Sequence, residues 1–479
     1  MPVSLKQKTM KGIFWSFFDS FGIYVIKFGF SIAIARALSP SDYGVIGMVV
    51  IFTAIGSMLT ESGFAMALIQ KKNADNKDYS TIFWFNIIVA LLFYFLLFTF
   101  SGKISEFYDN PIIKNVIRIS GLNIILSSLW LIQVTILTKE LNFKKQSLVN
   151  ITAAVGSGII GVILSYKDFG VWSLVFMTLG GSTLRVVGFW SFTKWTPSLI
   201  FNGKSFKSLY SYGYKIFLQG MSDVIFTKIY YPLIGEYYSA SGLGFYTYAS
   251  RFYDIFIRRV TIAYGRVTFS MFSLINDEKE RFKKNYLKTF RLLVYVLFPF
   301  TTILIISAEL FVHLILTDKW LPIVPYIRIF YIEGFFFPLY MLNQNVFNAL
   351  GRSDISLRID IMKKVLLLLS IFIAFKYGIK ALIGGQIISS FIVYLISTYR
   401  VNKIINIPIY KQIIEIIPII GMLVLLVFIN KFVLMSFVLG NWYLFVSQIL
   451  LLPAIYLFLA FIFRIKAQQE MIILIAGRK

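Results

Sequence analysis

An all-α polytopic membrane protein of about fourteen transmembrane helices is the fold class that three features of this 479-residue chain predict. Hydrophobic residues make up 58% of the chain, and the mean hydropathy is +0.77. Apolar segments of spanning length follow one another from Gly12 to Phe463. Lysine and arginine are abundant in every second loop and scarce in the loops between. A water-soluble fold of this composition would expose a greasy surface, whereas lipid accepts one. The longest polar break, around residues 276–288, is too short for a soluble domain, so one continuous membrane domain is expected.

About 20 mainly apolar residues are needed to cross a bilayer as a helix. Such stretches lie near 12–37, 44–68, 80–101, 115–138, 148–165 and 170–193. A second set lies near 210–235, 244–275, 289–316, 324–350, 361–376 and 379–399, and two more lie near 412–430 and 442–463. The basic head Lys6, Lys8 and Lys11 looks like that of a signal peptide. The apolar stretch behind it is too long, contains Asp19 and Lys27, and lacks a small-x-small cleavage site, so a retained first helix is expected. After it, Ser39-Pro40-Ser41-Asp42-Tyr43-Gly44 reads as a connector, with Pro40 fixing the turn and Gly44 relaxing the restart. Gly156, Gly158 and Gly161 predict close packing of the fifth span. Pro299, Pro338 and Pro418 predict bends. Trp15, Trp84, Trp172, Trp190, Trp195, Trp320 and Trp442 lie near span ends and read as interface belts. The Lys279–Arg291 cluster reads as a helix on an anionic lipid surface.

Outside the spans, the N-terminus, the even-numbered loops and the C-terminus hold 29 Lys and Arg, while the odd-numbered loops hold 7. That asymmetry predicts an even number of spans with both termini cytoplasmic. Shifting the chain by 200 residues aligns Ile34, Ser39, Ser41 and Gly44 with Ile234, Ser239, Ser241 and Gly244. A weaker echo aligns Leu141 and Ser147-Leu148 with Leu350 and Ser356-Leu357. Both copies begin on the same side of the membrane, six helices apart, as in transporters built from parallel repeats. The expected organisation is a six-helix lobe over 1–200, a second over 201–405, and two further helices with a tail over 406–479.

Composition also excludes. No cysteine is present, so there is neither a disulfide nor a thiolate metal site. His313 is the one histidine and cannot build a histidine metal site. The net charge of +25 is mostly the topological excess, so no nucleic-acid partner is expected. P-loop, G-x-S-x-G and H-E-x-x-H patterns are absent, and a non-enzyme is expected.

The residues that carry chemistry are charges inside apolar spans. Eleven cations and seven acids fall there. Each costs about 2.5–3.5 kcal/mol at a helix centre in lipid. If half of them snorkel to headgroups, the rest still cost on the order of 20–30 kcal/mol, which a water-filled cavity removes. Arg36, Arg118 and Arg328 lie near span ends and read as snorkelling; Glu309, Glu333 and Glu415 read as interfacial or structural. The cationic candidates for binding a substrate are Lys27, Arg185, Lys215, Lys228, Arg251, Arg258 and Arg259. Arg251, Asp254 and Arg258 share one helical stripe, either as a neutralised packing pair or with an arginine left for an anion. The planar arginine fork suits a phosphate, so the census favours an anionic cargo over a cationic drug. Asp19, Glu61, Asp223 and Asp254 are the acids available to exchange a proton or sodium ion, or to neutralise neighbours.

The opening Gly12-Ile13-Phe14-Trp15-Ser16, the block Ile34-Ala35-Arg36-Ala37-Leu38-Ser39-Pro40-Ser41-Asp42-Tyr43-Gly44 and the segment Gly242-Leu243-Gly244-Phe245-Tyr246-Thr247-Tyr248-Ala249-Ser250-Arg251 together carry a resemblance. They resemble Wzx-type polysaccharide flippases of the multidrug/oligosaccharidyl-lipid/polysaccharide exporter superfamily. The resemblance implies two six-helix lobes around a cationic central cavity, in a bacterial inner membrane. It implies movement of an undecaprenyl-diphosphate-linked oligosaccharide between leaflets by alternating access, for O-antigen, capsule or similar surface polysaccharide. It implies no cofactor, and as partners membrane lipid, a polysaccharide polymerase and a chain-length regulator. Three rivals stand beside it: a drug or metabolite antiporter of the same fold, a membrane-embedded polymerase or glycosyltransferase, and a channel, which the duplicated halves disfavour. The short outer loops, poor in acids, speak against the second.

Overall fold

A computed structural model describes residues 22–61, 63–437 and 440–475. Asp19, Trp15, the basic head and the first part of the first span lie outside the described residues. The remainder is helical, and the described residues contain no strand. Helix α1 covers residues 22–37. It is followed by α2 (Pro40–Glu61), α3 (Phe64–Gln70), α4 (Asn76–Phe107), α5 (Ile112–Lys139), α6 (Phe143–Ser165) and α7 (Val171–Phe192). Then come α8 (Gly203–Lys228), α9 (Tyr230–Tyr237), α10 (Ala240–Tyr253) and, after a π-turn over Asp254–Arg258, α11 (Arg259–Leu274). The rest are α12 (Lys279–Phe311), α13 (Val324–Glu333), α14 (Phe337–Ala349), α15 (Ser353–Ala374), α16 (Ile379–Ile405), α17 (Ile409–Ile429), α18 (Met435–Phe437), α19 (Asn441–Ile462) and α20 (Lys466–Ile475).

Every one of the predicted spans meets helix in the described residues. Ten stretches are long and apolar enough to cross a bilayer, several of them running through a break, as in Pro40–Gln70 and Asp318–Ala349. Predicted spans 210–235, 244–275 and 361–376 meet α8–α9, α10–α11 and α15, and these are not among the ten. Their charges are the reason: α8 carries Lys215, Asp223 and Lys228, and α15 carries Arg358, Asp360, Lys363 and Lys364.

The chain divides into two compact units after Thr247. In the first unit, α5 packs against α2, α4 and α7, and α6 packs against α7. The glycines of α6 make this possible. A Cβ on Gly158 would lie 2.1 Å from Phe30, and one on Gly161 would lie 2.8 Å from Ile34. The α3–α4 corner is fixed by polar groups. Asp75 and Asp78 form a reciprocal cap, Lys71 pairs with Asp78 at 2.7 Å, and Lys139 donates to the Leu68 carbonyl at 3.3 Å. Trp84, Trp190 and Trp195 gather around Phe83 at that end.

In the second unit, α12 is the centre, packed by α13, α17 and α19. It runs unbroken from Lys279, so the basic cluster is the first part of this long helix and not a separate surface helix. Pro299 and Pro418 lie inside α12 and α17, whereas Pro338 opens α14 after a break at Gly334–Phe336. Trp320 departs from the interface-belt expectation. It is fully buried, with its ring 4.7 Å from that of Tyr248. Its position in sequence beside a span end hides a tertiary contact 72 residues away.

Candidate functional site

The two copies of the repeat meet within the first unit. Ser39 caps α2: its backbone N–H and its hydroxyl both donate to Asp42 Oδ2, at 2.9 and 2.6 Å, with Pro40 as first helical residue. Ser39 Oγ also accepts the Asp42 N–H at 3.3 Å, and Ser239 caps α10 by the matching bond, accepting the Gly242 N–H at 3.0 Å. The two helix starts then cross backbone on backbone. A Cβ added to Gly44 would lie 1.8 Å from the Ala240 carbonyl oxygen, and one added to Gly244 would lie 1.7 Å from the Pro40 carbonyl oxygen. Gly44 is therefore helical and serves close approach, instead of the turn restart that its sequence context suggests. Sequence shows that the segments are related. It does not show that related segments touch.

A second close approach lies deeper. Gly63, in the left-handed region at φ 70°, breaks α2 from α3. A Cβ there would lie 2.3 Å from the Gly213 carbonyl oxygen of α8. Glu61, the last residue of α2, stands exposed beside the break.

On α8 the buried side is Leu209 and Gly213. Ser211, Lys215, Gln219, Asp223 and Thr227 follow one another at steps of four, and all five are exposed. This polar stripe runs about 24 Å along the helix, most of the thickness of a hydrocarbon core. Charge counting alone finds Lys215 and Asp223. The neutral members of the stripe are legible only as an i, i+4 pattern. Lys228, at the end of α8, lies over the Tyr231 ring at 4.9 Å. Lys27 of α1 is exposed. Arg185 of α7 is partly buried, with its guanidinium 5.9 Å from the centre of the Trp130 ring.

In the second unit, Arg251 lies on the last turn of α10. Asp254 and Arg258 bound the π-turn and pair across it at 3.3 Å, both partly exposed. The pair joins residues four apart, so Asp254 takes Arg258 and not Arg251. A π-turn inserts an extra residue into the helix and re-aims the residues beyond it, which the regular spacing of the sequence cannot reveal. Arg259 begins α11 and is exposed, followed on the same helix by exposed Arg266 and Ser270.

The acids that read as interfacial or structural occupy distinct places. Glu309 pairs with Arg328 at 3.0 Å in an exposed bridge. Glu415 takes both prongs of Arg291 at 2.5 Å, and Glu470 of α20 takes a third guanidinium hydrogen. Arg291 belongs in sequence to the basic loop cluster, yet its side chain is only 7% exposed. Glu333 is buried, accepting from Gln386 Nε2 at 2.9 Å and Ser390 Oγ at 2.8 Å. No group of three or more His, Cys, Asp or Glu that could hold a metal ion occurs among the described residues.

Comparison with known proteins agrees with this architecture. Residues 33–325 match the family described as "Polysaccharide biosynthesis protein". The chain is 25% identical over 381 residues to the teichuronic acid biosynthesis protein TuaB of Bacillus subtilis, covering 79% of this chain and 78% of that protein. It is 22% identical over 377 residues to the lipopolysaccharide biosynthesis protein WzxC of Escherichia coli, covering 78% and 76%. Its fold is similar to the lipid II flippase MurJ in an inward closed conformation, with a TM-score of 0.76 at 18% identity over 94% of this chain and 98% of that one. It is also similar to an inward-facing multidrug resistance MATE family transporter of the MOP superfamily, with a TM-score of 0.61 at 13% identity over 80% and 94%.

Proposed function

The chain belongs to the polysaccharide biosynthesis protein family, and on that premise we propose that it moves an undecaprenyl-diphosphate-linked oligosaccharide across the bacterial inner membrane. It is a multi-pass membrane protein with the transporter fold of the MOP superfamily. The single observation that carries the finer reading is the exposed polar stripe of α8. Against lipid, Lys215 and Asp223 alone cost about 5–7 kcal/mol, and their neutral neighbours add to it. Water along the stripe removes that cost and gives hydroxylated sugars a surface to slide past.

The diphosphate is the part of such a substrate that needs fixed charge. The cations available to it are Lys27, Arg185, Lys215 and Lys228 in the first unit and, separately, Arg251, Arg258 and Arg259 in the second. Asp254 holds the Arg258 guanidinium at 3.3 Å and leaves other N–H groups of its fork to bind a phosphate in pairs. The isoprenoid tail stays in the bilayer, its natural solvent. The loop charges favour an even number of spans with both termini cytoplasmic, about fourteen by the succession of apolar stretches. In that topology the Gly44–Gly244 crossing lies at the outer end, and its parting is the step that opens the path outward. Glu61, Asp223 and Asp254, together with Asp19 outside the described residues, are the acids for proton or sodium coupling.

Proteoliposomes loaded with a lipid-diphosphate oligosaccharide test this. Leaflet-resolved detection of the sugar should show protein-dependent movement, weakened in Arg251→Ala, Arg258→Ala and Arg259→Ala. Polymer formation from donor sugars without movement would establish the enzyme reading instead.

A further inference from the structure

The second unit holds a cavity of about 190 Å³ where α15 begins and α16 ends. None of the cations assigned to the substrate line it. Three arginines do, Arg352, Arg358 and Arg400, with Asp354 as the one acid. Arg352 is engaged with Asp354 at 3.2 Å. Neither Arg358 nor Arg400 forms an ion pair among the described residues, and both are exposed. Three guanidinium groups against one carboxylate leave the lining with a net charge of two positive.

Depth and composition narrow the ligand. Arg358 lies five residues inside the start of α15, and Arg400 lies five residues before the end of α16. The two helices pack side by side, so each guanidinium stem is rooted about 8 Å from its helix end, within a headgroup layer's reach of the hydrocarbon. Farther from the helix ends than the two arginines, the wall is Ile359 and Met362 of α15 and Ile396 of α16. A positive-inside excess needs charges but no cavity, and a free phosphate gains nothing from an isoleucine floor. An amphiphile with a phosphate at one end and hydrocarbon at the other satisfies both halves.

We propose that this cavity is a binding site for an anionic phospholipid of the bilayer. Arg358 and Arg400 hold its phosphate, and the start of its acyl chain lies over Ile359 and Met362. The assignment does not depend on what the protein transports.

The test uses the full chain in detergent, titrated separately with phosphatidylglycerol, phosphatidylcholine and inorganic phosphate, with bound lipid counted by native mass spectrometry. Phosphatidylglycerol should bind at least about 10-fold more tightly than phosphatidylcholine, and the Arg358→Gln/Arg400→Gln double variant should lose about 30-fold of that affinity. Lysine at both positions should restore most of it, which separates lost charge from lost fold. Equal binding of the two lipids overturns the proposal, as does undiminished phosphatidylglycerol binding by the double variant. Displacement by inorganic phosphate at lipid-equivalent concentration would overturn it too, making the site one for phosphate alone. If the glutamine variant does not fold, the single variant Arg400→Gln carries the same prediction at about 5-fold.

Discussion

At the scale of single residues, two arginines sharing one unit are predicted to behave in opposite ways. Arg291 is buried and brackets two carboxylates from α17 and α20. Its removal strands both, so Arg291→Ala should cost about 3–5 kcal/mol of stability, read as a large fall in detergent unfolding temperature. Arg258 is partly exposed and spends one contact on Asp254. Arg258→Ala should leave the unfolding temperature nearly unchanged and reduce transport about 10- to 100-fold, with Arg258→Lys in between because a point charge loses the paired geometry. Transport equal to wild type in Arg258→Ala would make the pair a packing device. The sequence reads Arg258 as a charge inside a span and Arg291 as part of a basic surface cluster, and neither reading shows which of them is buried. What separates them is burial, and burial depends on helices more than 100 residues away. Glu333 is equally opaque in the sequence, since Gln386 and Ser390 reach it from another helix.

Among the elements, the ends and breaks of helices are the readable part. Serine, proline and aspartate around residue 39 announce a capped start, and Ser39 and Asp42 form that cap. The crossing of α2 with α10 is not readable, because glycine in a helix start looks the same whether it faces solvent or a backbone. Gly44→Val should be intolerable in the crossed arrangement, where even a Cβ would overlap a carbonyl. Overpacking of about 1–3 kcal/mol or more moves the population toward an uncrossed state. Met48, buried one turn beyond Gly44 on α2, reports this. A Met48→Cys thiol should react with an impermeant maleimide at least about 10-fold faster in the Gly44→Val background. An unchanged rate in a folded protein would show that the crossing is not what opens.

For the whole molecule, hydropathy and loop charge make the succession of helices legible, because lipid imposes length and the insertion machinery imposes sign. The charged helices α8, α10 and α11 escape an apolarity criterion because of their charges, and the proposed path gives those charges water at membrane depth. The proposed transport of a sugar past α8 depends on that water, and the absence of cysteine from the chain makes it directly measurable. Single cysteines would be placed at Ser211, Lys215, Gln219, Asp223 and Thr227, with Ile225 as an exposed apolar control on the same helix. If water lines the stripe, an impermeant thiol reagent labels all five positions in the membrane, a lipid-diphosphate oligosaccharide slows the labelling, and position 225 stays unlabelled. Labelling of position 225 with a silent stripe, or a stripe labelled identically with and without the lipid-linked sugar, would contradict a wet, sugar-lined path along α8.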